Sequence, residues 1–565
     1  MSQRAAWTIF AIALLIFGCF LLLPLWATVR GGFVDLDGHF TLAYLAEAFA
    51  NPLQLKCLGN SLTIALLTTT AALLLAFPLA FFSCRYEFPG KRIFSALVLV
   101  PLILPPFLGA IGILKIFGSH GILNALLFRC GIFDHFVPID WLGHGKLGAV
   151  VLFQALSLYP ILFLNISAAL ANIDPAMEEA AAALGCVGLR RFFRVTFPLA
   201  RPGVFAGVTI VFIWSFTELG VPLIFNYVHV LPVQIFSMLK ELGNNPFPYA
   251  LATVVLFLST AFYWVGKRHL AGRDDVAMLS KASHSPAMRR IGPGKRLFCT
   301  LFFAIVTALA LLPHLVVICY SFAGDWFGTI LPHSWTLHNY AAALGHPLTV
   351  SSIRHSLLYA GCATLAAAIF GTLIALVIVR SRLRWRGLLD ALAMLPLAVP
   401  GIIIAFGYLV ISQKGKFFSF LNPIENPTAL LIIAYAIRKL PLMVRAAVAG
   451  LQQTSATYEE AAASLGSRPL NTYCRITIPL ILSNLIAGGL LVFSQTMLEV
   501  SDSLIIAQKQ QFYPITKAIY ELMNLLGNGP FLACALGVWA MAFLAVALSS
   551  ASVFMGKNLG AIFRA

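Results

Sequence analysis

The sequence predicts an all-α, polytopic membrane protein with about twelve transmembrane helices arranged as two homologous six-helix halves. Three observations lead to this fold class: the scarcity of charge, the long apolar runs and an internal repeat. Of the 565 residues, 60% are hydrophobic and only 10% are charged, whereas about a quarter of a soluble domain is charged. Because so few charges cannot cover a water-exposed surface of this size, we expect much of the surface to face lipid.

Apolar runs mark the candidate helices, since a helix needs roughly 20 apolar residues to cross the hydrocarbon core. The first run is too long for a signal-peptide core and no small-residue cleavage pattern follows it, so we interpret it as a retained helix. Seven long runs contain no Asp, Glu, Lys or Arg, and their only histidines are His314 and His355; these runs are residues 5–29, 60–84, 93–114, 147–173, 297–324, 355–379 and 530–556. Five shorter or charge-interrupted runs lie near 204–225, 249–266, 387–411, 428–449 and 485–507.

The net charge of +17 is concentrated in connections between the apolar runs. If the helices alternate from a cytoplasmic N-terminus, these connections all lie on the cytoplasmic side, which is the positive-inside pattern. Orientation therefore accounts for the charge, and no nucleic-acid partner is expected. We expect a multi-pass membrane protein in contact with lipid, with both termini in the cytoplasm. The short connections carry Arg85, Lys91, Arg92, Arg190, Arg191, Arg194, Arg201, Arg380, Arg382, Arg384 and Arg386.

The chain also repeats itself. Residues 99–112 read LVPLILPPFLGAIG and residues 394–407 read MLPLAVPGIIIAFG, so that prolines and a glycine recur 295 positions apart. Further along, the separation becomes 281 positions, which indicates a longer outer loop in the first half. We therefore divide the chain into a first half (residues 1–266), a cytoplasmic linker (267–296) and a second half (297–565). Matching pairs include Ser61 and Ser356, Arg85 and Arg380, Pro101 and Pro396, and Gly112 and Gly407.

The predicted symmetry of the halves suggests where a pathway would lie. Each half has an even number of predicted crossings, so the two copies share one orientation. Such repeats are related by a pseudo-twofold axis along the membrane normal, with the substrate pathway between them. The alternative is an ancient duplication that is retained for packing alone.

Each half contains a polar loop with the same motif, at residues 177–203 and 458–484. In each loop Glu-Ala-Ala is followed by three residues and a glycine, then by nine residues, an apolar residue, a spacer, an apolar residue and proline. We call these two segments the EAA loops. The first contains Glu179, Ala180, Ala181, Gly185 and Pro198, and the second contains Glu460, Ala461, Ala462, Gly466 and Pro479.

The local chemistry of the EAA loops predicts a short helix–turn–helix. Glu-Glu-Ala-Ala-Ala favours a helix, and Gly185 and Gly466 suit the left-handed residue that ends one. Pro198 and Pro479 predict a second helix boundary where the chain turns back towards the membrane. The element would present a compact alanine surface that fits a groove of a partner. The alternative is an ordinary amphipathic cytoplasmic loop.

The pattern resembles the EAA loop of binding-protein-dependent ABC importers, with Val195, Phe197 and Ile478 as mild departures from its apolar positions. The resemblance extends over nearly the whole chain and implies the type I importer permease fold. It implies that the motif residues of both loops couple the permease to two nucleotide-binding ATPase subunits, expected to be a homodimer. It also implies a location in the bacterial cytoplasmic (inner) membrane and a periplasmic or lipid-anchored substrate-binding protein. The chain has no phosphate-binding loop of its own, so we expect it to be a transport subunit without a cofactor, with ATP hydrolysis by the partners.

Ionisable residues inside predicted helices are candidate pathway residues, because charge within a membrane is costly. Glu218 and Glu499 occupy equivalent positions after the EAA loops, and Ser215 matches Thr496. With Asp502, these side chains would line the pathway or its outer gate. The alternative is that they lie near the outer surface, where they hold a helix end or pair with a nearby cation.

Arg438 breaks the symmetry of the repeat, since its first-half equivalent is Ser157. It lies near the middle of its predicted helix. Arg438 could oppose the carboxylates or meet an anionic substrate or chelate, or it could form an internal salt bridge of purely structural value.

The segment Arg438-Lys439-Leu440-Pro441 in a fused two-half chain is similar to the ferric-iron permease group of these importers. This resemblance implies ferric iron as the substrate. Close relatives in the group imply thiamine, aminoethylphosphonate or polyamines as alternatives. A transporter of a different class, driven by an ion gradient, would also be basic, helical and repeated, but it gives no reason for two EAA loops. No metal or nucleophile constellation of a membrane-embedded enzyme is present in the sequence.

Overall fold

The computed structural model describes residues 3–102, 106–133, 135, 137–143, 146–239, 245–269 and 289–554. Helices dominate these residues, which confirms the predicted all-α class. The strands are very short: β1 (Tyr86–Glu87) pairs in parallel with β2 (Arg289–Arg290), and β3 (Ala323–Asp325) pairs antiparallel with β4 (Ser334–Trp335). Most of the linker expected at 267–296 lies outside the described residues.

Fourteen α-helices lie in the described residues of the first half. They are α1 (Gln3–Phe17), α2 (Leu23–Gly32), α3 (Ala43–Ala50), α4 (Pro52–Arg85), α5 (Lys91–Leu97), α6 (Pro106–Phe117), α7 (Ile122–Arg129), α8 (Leu147–Ala171), α9 (Pro175–Ala183), α10 (Gly188–Arg191), α11 (Phe197–Phe216), α12 (Gly220–Ile224), α13 (Leu231–Ser237) and α14 (Phe247–His269).

The second half repeats this order with twelve α-helices in its described residues. They are α15 (Pro293–Ser321), α16 (His338–Gly345), α17 (Pro347–Arg380), α18 (Arg386–Ala398), α19 (Gly401–Ile411), α20 (Thr428–Gln453), α21 (Thr457–Ser464), α22 (Pro469–Thr472), α23 (Ile478–Met497), α24 (Ser501–Ile506), α25 (Ile515–Met523) and α26 (Gly529–Phe554).

The described part of the chain has ten helical segments that are long and apolar enough to cross a membrane, or eleven if α18 and α19 form one broken span. These two helices meet at an angle of 101°. Helix α20 is also long enough at 26 residues, but Arg438, Lys439 and Arg445 interrupt its apolar character. It packs between α17 and α23 as α8 packs between α4 and α11. Counting α20, the fold agrees with the expected total of about twelve crossings.

The first candidate membrane span of each half, Gln3–Gly32 and Pro293–Ser321, packs against the opposite half. Helix α2 lies on α19, and α15 lies on α6. A Cβ atom on Gly112 would overlap the backbone carbonyl of Pro313, and one on Gly407 would overlap that of Pro24. The repeated glycines therefore allow a close approach between helix backbones in both places. The two halves of the sequence are thus interlocked in space by a reciprocal exchange of helices.

Candidate coupling surface and translocation pathway

The EAA loops begin with a short helix that ends in the same way in both halves. Gly185 has φ +79° and Gly466 has φ +80°, the left-handed conformation expected from the sequence. The amide of each glycine donates to the carbonyl three residues earlier, and the next amide donates to the carbonyl five residues earlier. These two hydrogen bonds form a Schellman motif, in which glycine avoids the strain that a Cβ atom would cause.

The prediction of a helix boundary at Pro198 and Pro479 was wrong. In the first half the chain is helical from Gly188 to Phe216, and the proline lies inside this continuous helix. A wide π-helical turn, Phe192–Thr196, comes directly before Pro198, and an equivalent turn, Tyr473–Thr477, comes before Pro479. The wide turn accommodates the missing amide hydrogen and the ring of the proline, so the helix can continue.

The exposed apolar surface of the EAA loops consists of leucines more than alanines. Leu184 and Leu465, which directly precede the glycines, are each 88% exposed. Leu189 and Leu470, just after the turns, are 77% and 76% exposed. Among the motif alanines, Ala180 and Ala461 are exposed, whereas Ala462 is buried. Sequence reasoning missed the leucines, although their equivalent positions before the two glycines were a visible signal.

The two consecutive glutamates of each EAA loop point in opposite directions. Glu179 and Glu460, the motif glutamates, are exposed to solvent. The preceding glutamates, Glu178 and Glu459, turn inward, where their side chains are 10% and 14% exposed. Only the packing of the loop against the helix bundle distinguishes the two, so sequence reasoning did not single out the inner pair.

Each inner glutamate belongs to an ion-paired group that we call an arginine triad. In the first triad, Arg85 Nη2 donates to Glu178 Oε1 at 2.7 Å, and Thr196 Oγ1 donates to the same oxygen at 2.7 Å. In the second, the arginine Nε donates to the glutamate Oε1 at 3.0 Å and the threonine donates at 3.3 Å. The triads are Arg85–Glu178–Thr196 and Arg380–Glu459–Thr477.

The structure brings four charged side chains together where α23 breaks into α24, and we call them the charge cluster. Arg438 Nη1 lies 2.5 Å from Glu499 Oε1 and 3.2 Å from Asp502 Oδ2. Lys439 Nζ lies 2.8 Å from Glu499 Oε2. Asp502 is fully buried, and its Oδ1 atom has no hydrogen-bond partner among the described residues. Arg438 also packs over the backbone of Gly401, where a Cβ atom would overlap the guanidinium group.

The equivalent region of the first half is polar but makes no ion pair within the described part of the chain. Glu218 lies where α11 breaks into α12, and its Oε1 atom accepts the amide of Gly220 at 3.1 Å. Ser215 donates to Gln154 Oε1 at 2.5 Å. The matching hydroxyl, Thr496 Oγ1, is buried and has no hydrogen-bond partner among the described residues.

The two helix breaks approach each other across the halves. A Cβ atom on Gly220 would lie 3.1 Å from Val500 Cγ1 and 3.3 Å from Glu218 Oε1. Val500 is the neighbour of Glu499 in the chain, so this contact brings the first-half break next to the charge cluster. The sequence-predicted residues Glu218, Glu499, Asp502 and Arg438 thus occupy one region at the interface between the halves.

One group of three side chains with possible metal-ligating atoms occurs among the described residues, at Asp35, Asp37 and His39. Asp37 and His39 are exposed on the connection between α2 and α3. The Asp35 Oδ1 atom already accepts the amides of Asp37 and His39. Because these bonds belong to a local turn, the group does not by itself indicate a metal centre.

Comparison with known proteins is consistent with this architecture. A family model described as the binding-protein-dependent transport system inner membrane component matches twice, at residues 60–273 and 364–553. The ferric transport system permease protein FbpB of Actinobacillus pleuropneumoniae is 29% identical over 74% of this chain, and the chain covers 59% of that protein's length. The Fe(3+)-transport system permease protein FbpB 2 of Haemophilus influenzae is 25% identical over 81% of this chain and 83% of its own length.

A shorter relative matches about one half of the chain. The molybdenum transport system permease protein ModB of Haemophilus influenzae is 28% identical over 38% of this chain and 95% of its own length. Nearly the whole of that relative thus aligns with less than half of this chain. The two matches of the family model cover most of the sequence, and the chain belongs to the inner membrane permease component family of binding-protein-dependent ABC importers.

Proposed function

We propose that this permease carries ferric iron through a pathway between its two halves, driven by ATP hydrolysis in two copies of a separate ATPase subunit. The observation that supports this most directly is the pair of equivalent EAA loops, each with an exposed leucine beside a left-handed glycine. Two matching surfaces on one chain suit two identical partners. Loaded substrate would come from a periplasmic or lipid-anchored binding protein.

The exposed leucines supply the chemistry of the ATPase contact. Leu184 and Leu465 are almost fully exposed at the tips of the EAA loops, and such side chains favour burial in an apolar groove. Glu179 and Glu460 lie on the same short helices and are free to pair with cations of the partner. In this proposal the leucines anchor the contact and the motif glutamates orient it.

The pathway is proposed to run past the two helix breaks, where Glu218 faces the charge cluster. Broken helices at the interface between repeats are typical of substrate sites in transporters. The region holds three carboxylates against the two cations Arg438 and Lys439, which favours a cationic cargo over an anionic one. The hydroxyls of Ser215 and Thr496 would line the same passage. Rocking of the halves would open this region alternately to each side.

The proposed orientation places the EAA loops and both termini in the cytoplasm. The basic ends of α4 and α17, at Arg85 and Arg380, contact the EAA loops directly. Because basic connections remain on the cytoplasmic side of bacterial membranes, this contact supports a cytoplasmic position for both loops.

The ATPase contact is tested by co-purification of the ATPase with the permease. We expect the double variant Leu184→Asp, Leu465→Asp to lose the ATPase, because a charged side chain cannot enter an apolar groove. Leu526→Asp is the matched control, since Leu526 is fully exposed on the connection between α25 and α26. Full retention of the ATPase by the double variant would contradict the proposal.

The cargo is tested by uptake into proteoliposomes that contain the permease, its ATPase and the binding protein. We expect ATP-dependent uptake of radiolabelled ferric iron, with little uptake of molybdate or 2-aminoethylphosphonate. Glu218→Gln should lower the iron uptake, whereas Glu47→Gln, an exposed carboxylate away from the helix breaks, should not. Preferred uptake of an anion would overturn the iron assignment, and uptake without any ATPase would overturn the importer mechanism.

A further inference from the structure

The arginine triads join each EAA loop to the end of one particular helix. Arg85 is the last residue of α4 and Arg380 is the last residue of α17, and each helix is 34 residues long. These two helices form the core of their halves, since α4 packs on α8 and α11, and α17 packs on α20 and α23. We call α4 and α17 the central helices. A displacement of either EAA loop is therefore applied directly to the central helix of its half.

Both triads are shielded from solvent. The side chains of Arg85 and Glu178 are 12% and 10% exposed, and those of the second pair are 11% and 14% exposed. A shielded, hydrogen-bonded ion pair resists separation far more than a pair on an open surface. The threonine in each triad comes from the π-helical turn before the proline. The glutamate on the first arm of each loop is therefore bound both by the second arm and by the arginine of α4 or α17.

Each central helix also makes a hydrogen bond with another element near its N-terminal end. Ser61 Oγ on α4 accepts the amide of Leu231 at 3.0 Å, and Ser356 Oγ on α17 accepts the amide of Ile515 at 2.7 Å. These amides belong to the first residues of the short helices α13 and α25. Ser61 and Arg85 are 24 residues apart along a continuous helix, which corresponds to about 36 Å at 1.5 Å per residue. Each central helix thus connects an EAA loop to an element on the opposite side of the bundle.

We propose that Arg85 and Arg380 are positioning residues for energy coupling: through Glu178 and Glu459 they make each EAA loop move as one body with its central helix. This inference rests on the proposed function, because it presumes an ATPase at the EAA loops. Adjacent glutamates then have different roles. The exposed glutamates, Glu179 and Glu460, face the ATPase, whereas the inward-facing glutamates, Glu178 and Glu459, transmit its motion to the helix bundle.

The experiment uses the complete transporter in proteoliposomes and measures the number of ATP molecules hydrolysed per ferric ion transported. We expect Arg85→Met with Arg380→Met to keep the ATPase bound while this ratio rises on the order of tenfold, within the usual range of coupling between sites. The matched control is Arg92→Met with Arg384→Met, which removes two exposed arginines from the same connections.

A reversed ion pair separates coupling from folding. In one variant the charges are exchanged, with Arg85→Glu and Glu178→Arg in the first half and the same exchange of Arg380 and Glu459 in the second. This variant should restore part of the normal ratio of ATP hydrolysed to iron transported. Arg85→Lys with Arg380→Lys, which keeps the positive charges, should also restore part of it. A purely structural role would instead lower thermal stability and leave the ratio unchanged in the molecules that survive. An unchanged ratio in the folded Arg85→Met, Arg380→Met variant overturns the inference. Failure of the unmodified chain to bind any ATPase would instead overturn the proposed function.

Discussion

The two halves of this permease have the same backbone structure at the EAA loops and differ at the helix breaks. Gly185 and Gly466 end their helices with the same hydrogen bonds and nearly the same φ. At the breaks, the second half holds four interlinked charges around Arg438, whereas the first half holds neutral groups around Gln154 and a carboxylate, Glu218. The two halves are thus alike where we propose two equivalent ATPase contacts, and they differ where we propose a single pathway.

This difference has a physical reason. Under the proposed function, two copies of one ATPase would require two equal surfaces, and the EAA loops would be constrained in the same way in both halves. A single pathway between the halves, as proposed, would be under no such constraint. A charged residue can lie in one half and its partner in the same or the other half, provided that the buried charges remain paired.

The largest effect is expected from Arg438→Met. The change leaves Glu499 and Asp502 without their shared cation, which should lower the free energy of unfolding by about 3–5 kcal/mol. The matched control is Ser157→Ala at the equivalent first-half position, where the buried hydroxyl has no hydrogen-bond partner among the described residues. Unfolding in mixed micelles measures both. Equal stability of the two variants would show that the cluster does not hold the second half together.

A smaller and symmetric loss is expected at the interlocked helices. Gly112→Val and Gly407→Val both force a side chain against a proline carbonyl of the opposite half, at about 1–3 kcal/mol each. Gly361→Ala is the control, since a Cβ atom there meets nothing within 4 Å. Thermal unfolding of the three variants measures the effect. If only one of the two valine variants is destabilised, the exchange of helices is not equivalent in the two halves.

The EAA loops should respond equally to the loss of their glycines. Gly185→Ala and Gly466→Ala place a Cβ atom on a left-handed residue, which costs roughly 1–2 kcal/mol. Gly387→Ala, at a helical glycine with open space around it, serves as the control. Limited proteolysis at the loops reports the local destabilisation. Unequal cleavage of the two loops would contradict their equivalence.

The smallest effect on stability is expected at the equivalent residues Ser215 and Thr496, whose hydroxyl groups differ in hydrogen bonding. Ser215→Ala removes a hydrogen bond to Gln154 and should cost about 1 kcal/mol. Thr496→Val should be nearly neutral, because the Thr496 hydroxyl has no partner among the described residues. Chemical unfolding of the two variants under the same conditions checks the difference. A costlier change at Thr496 would reverse the comparison.

The sequence by itself determined the features that depend on local patterns. Apolar runs of sufficient length predict helices in any membrane, and the positive φ of Gly185 and Gly466 follows from short-range sterics. The repeat predicted which residues are equivalent. The local pattern misled at Pro198 and Pro479, where a π-helical turn allows the helix to continue through the proline. It also misled at the expected alanine surface, which consists of leucines more than alanines.

The tertiary structure decided everything that depends on which surfaces meet. Glu178 and Glu179 are chemically identical neighbours, and only the approach of α4 makes one an anchor and leaves the other exposed. The partners of Arg438 lie 61 and 64 positions away in the chain. Gly112 and Gly407 match in the repeat, but the sequence does not show why a glycine is needed at either position. The reason is that the first helices of the halves pack against the opposite half, where a larger side chain would overlap a backbone carbonyl. Such contacts arise from packing between distant segments, and no local pattern encodes them.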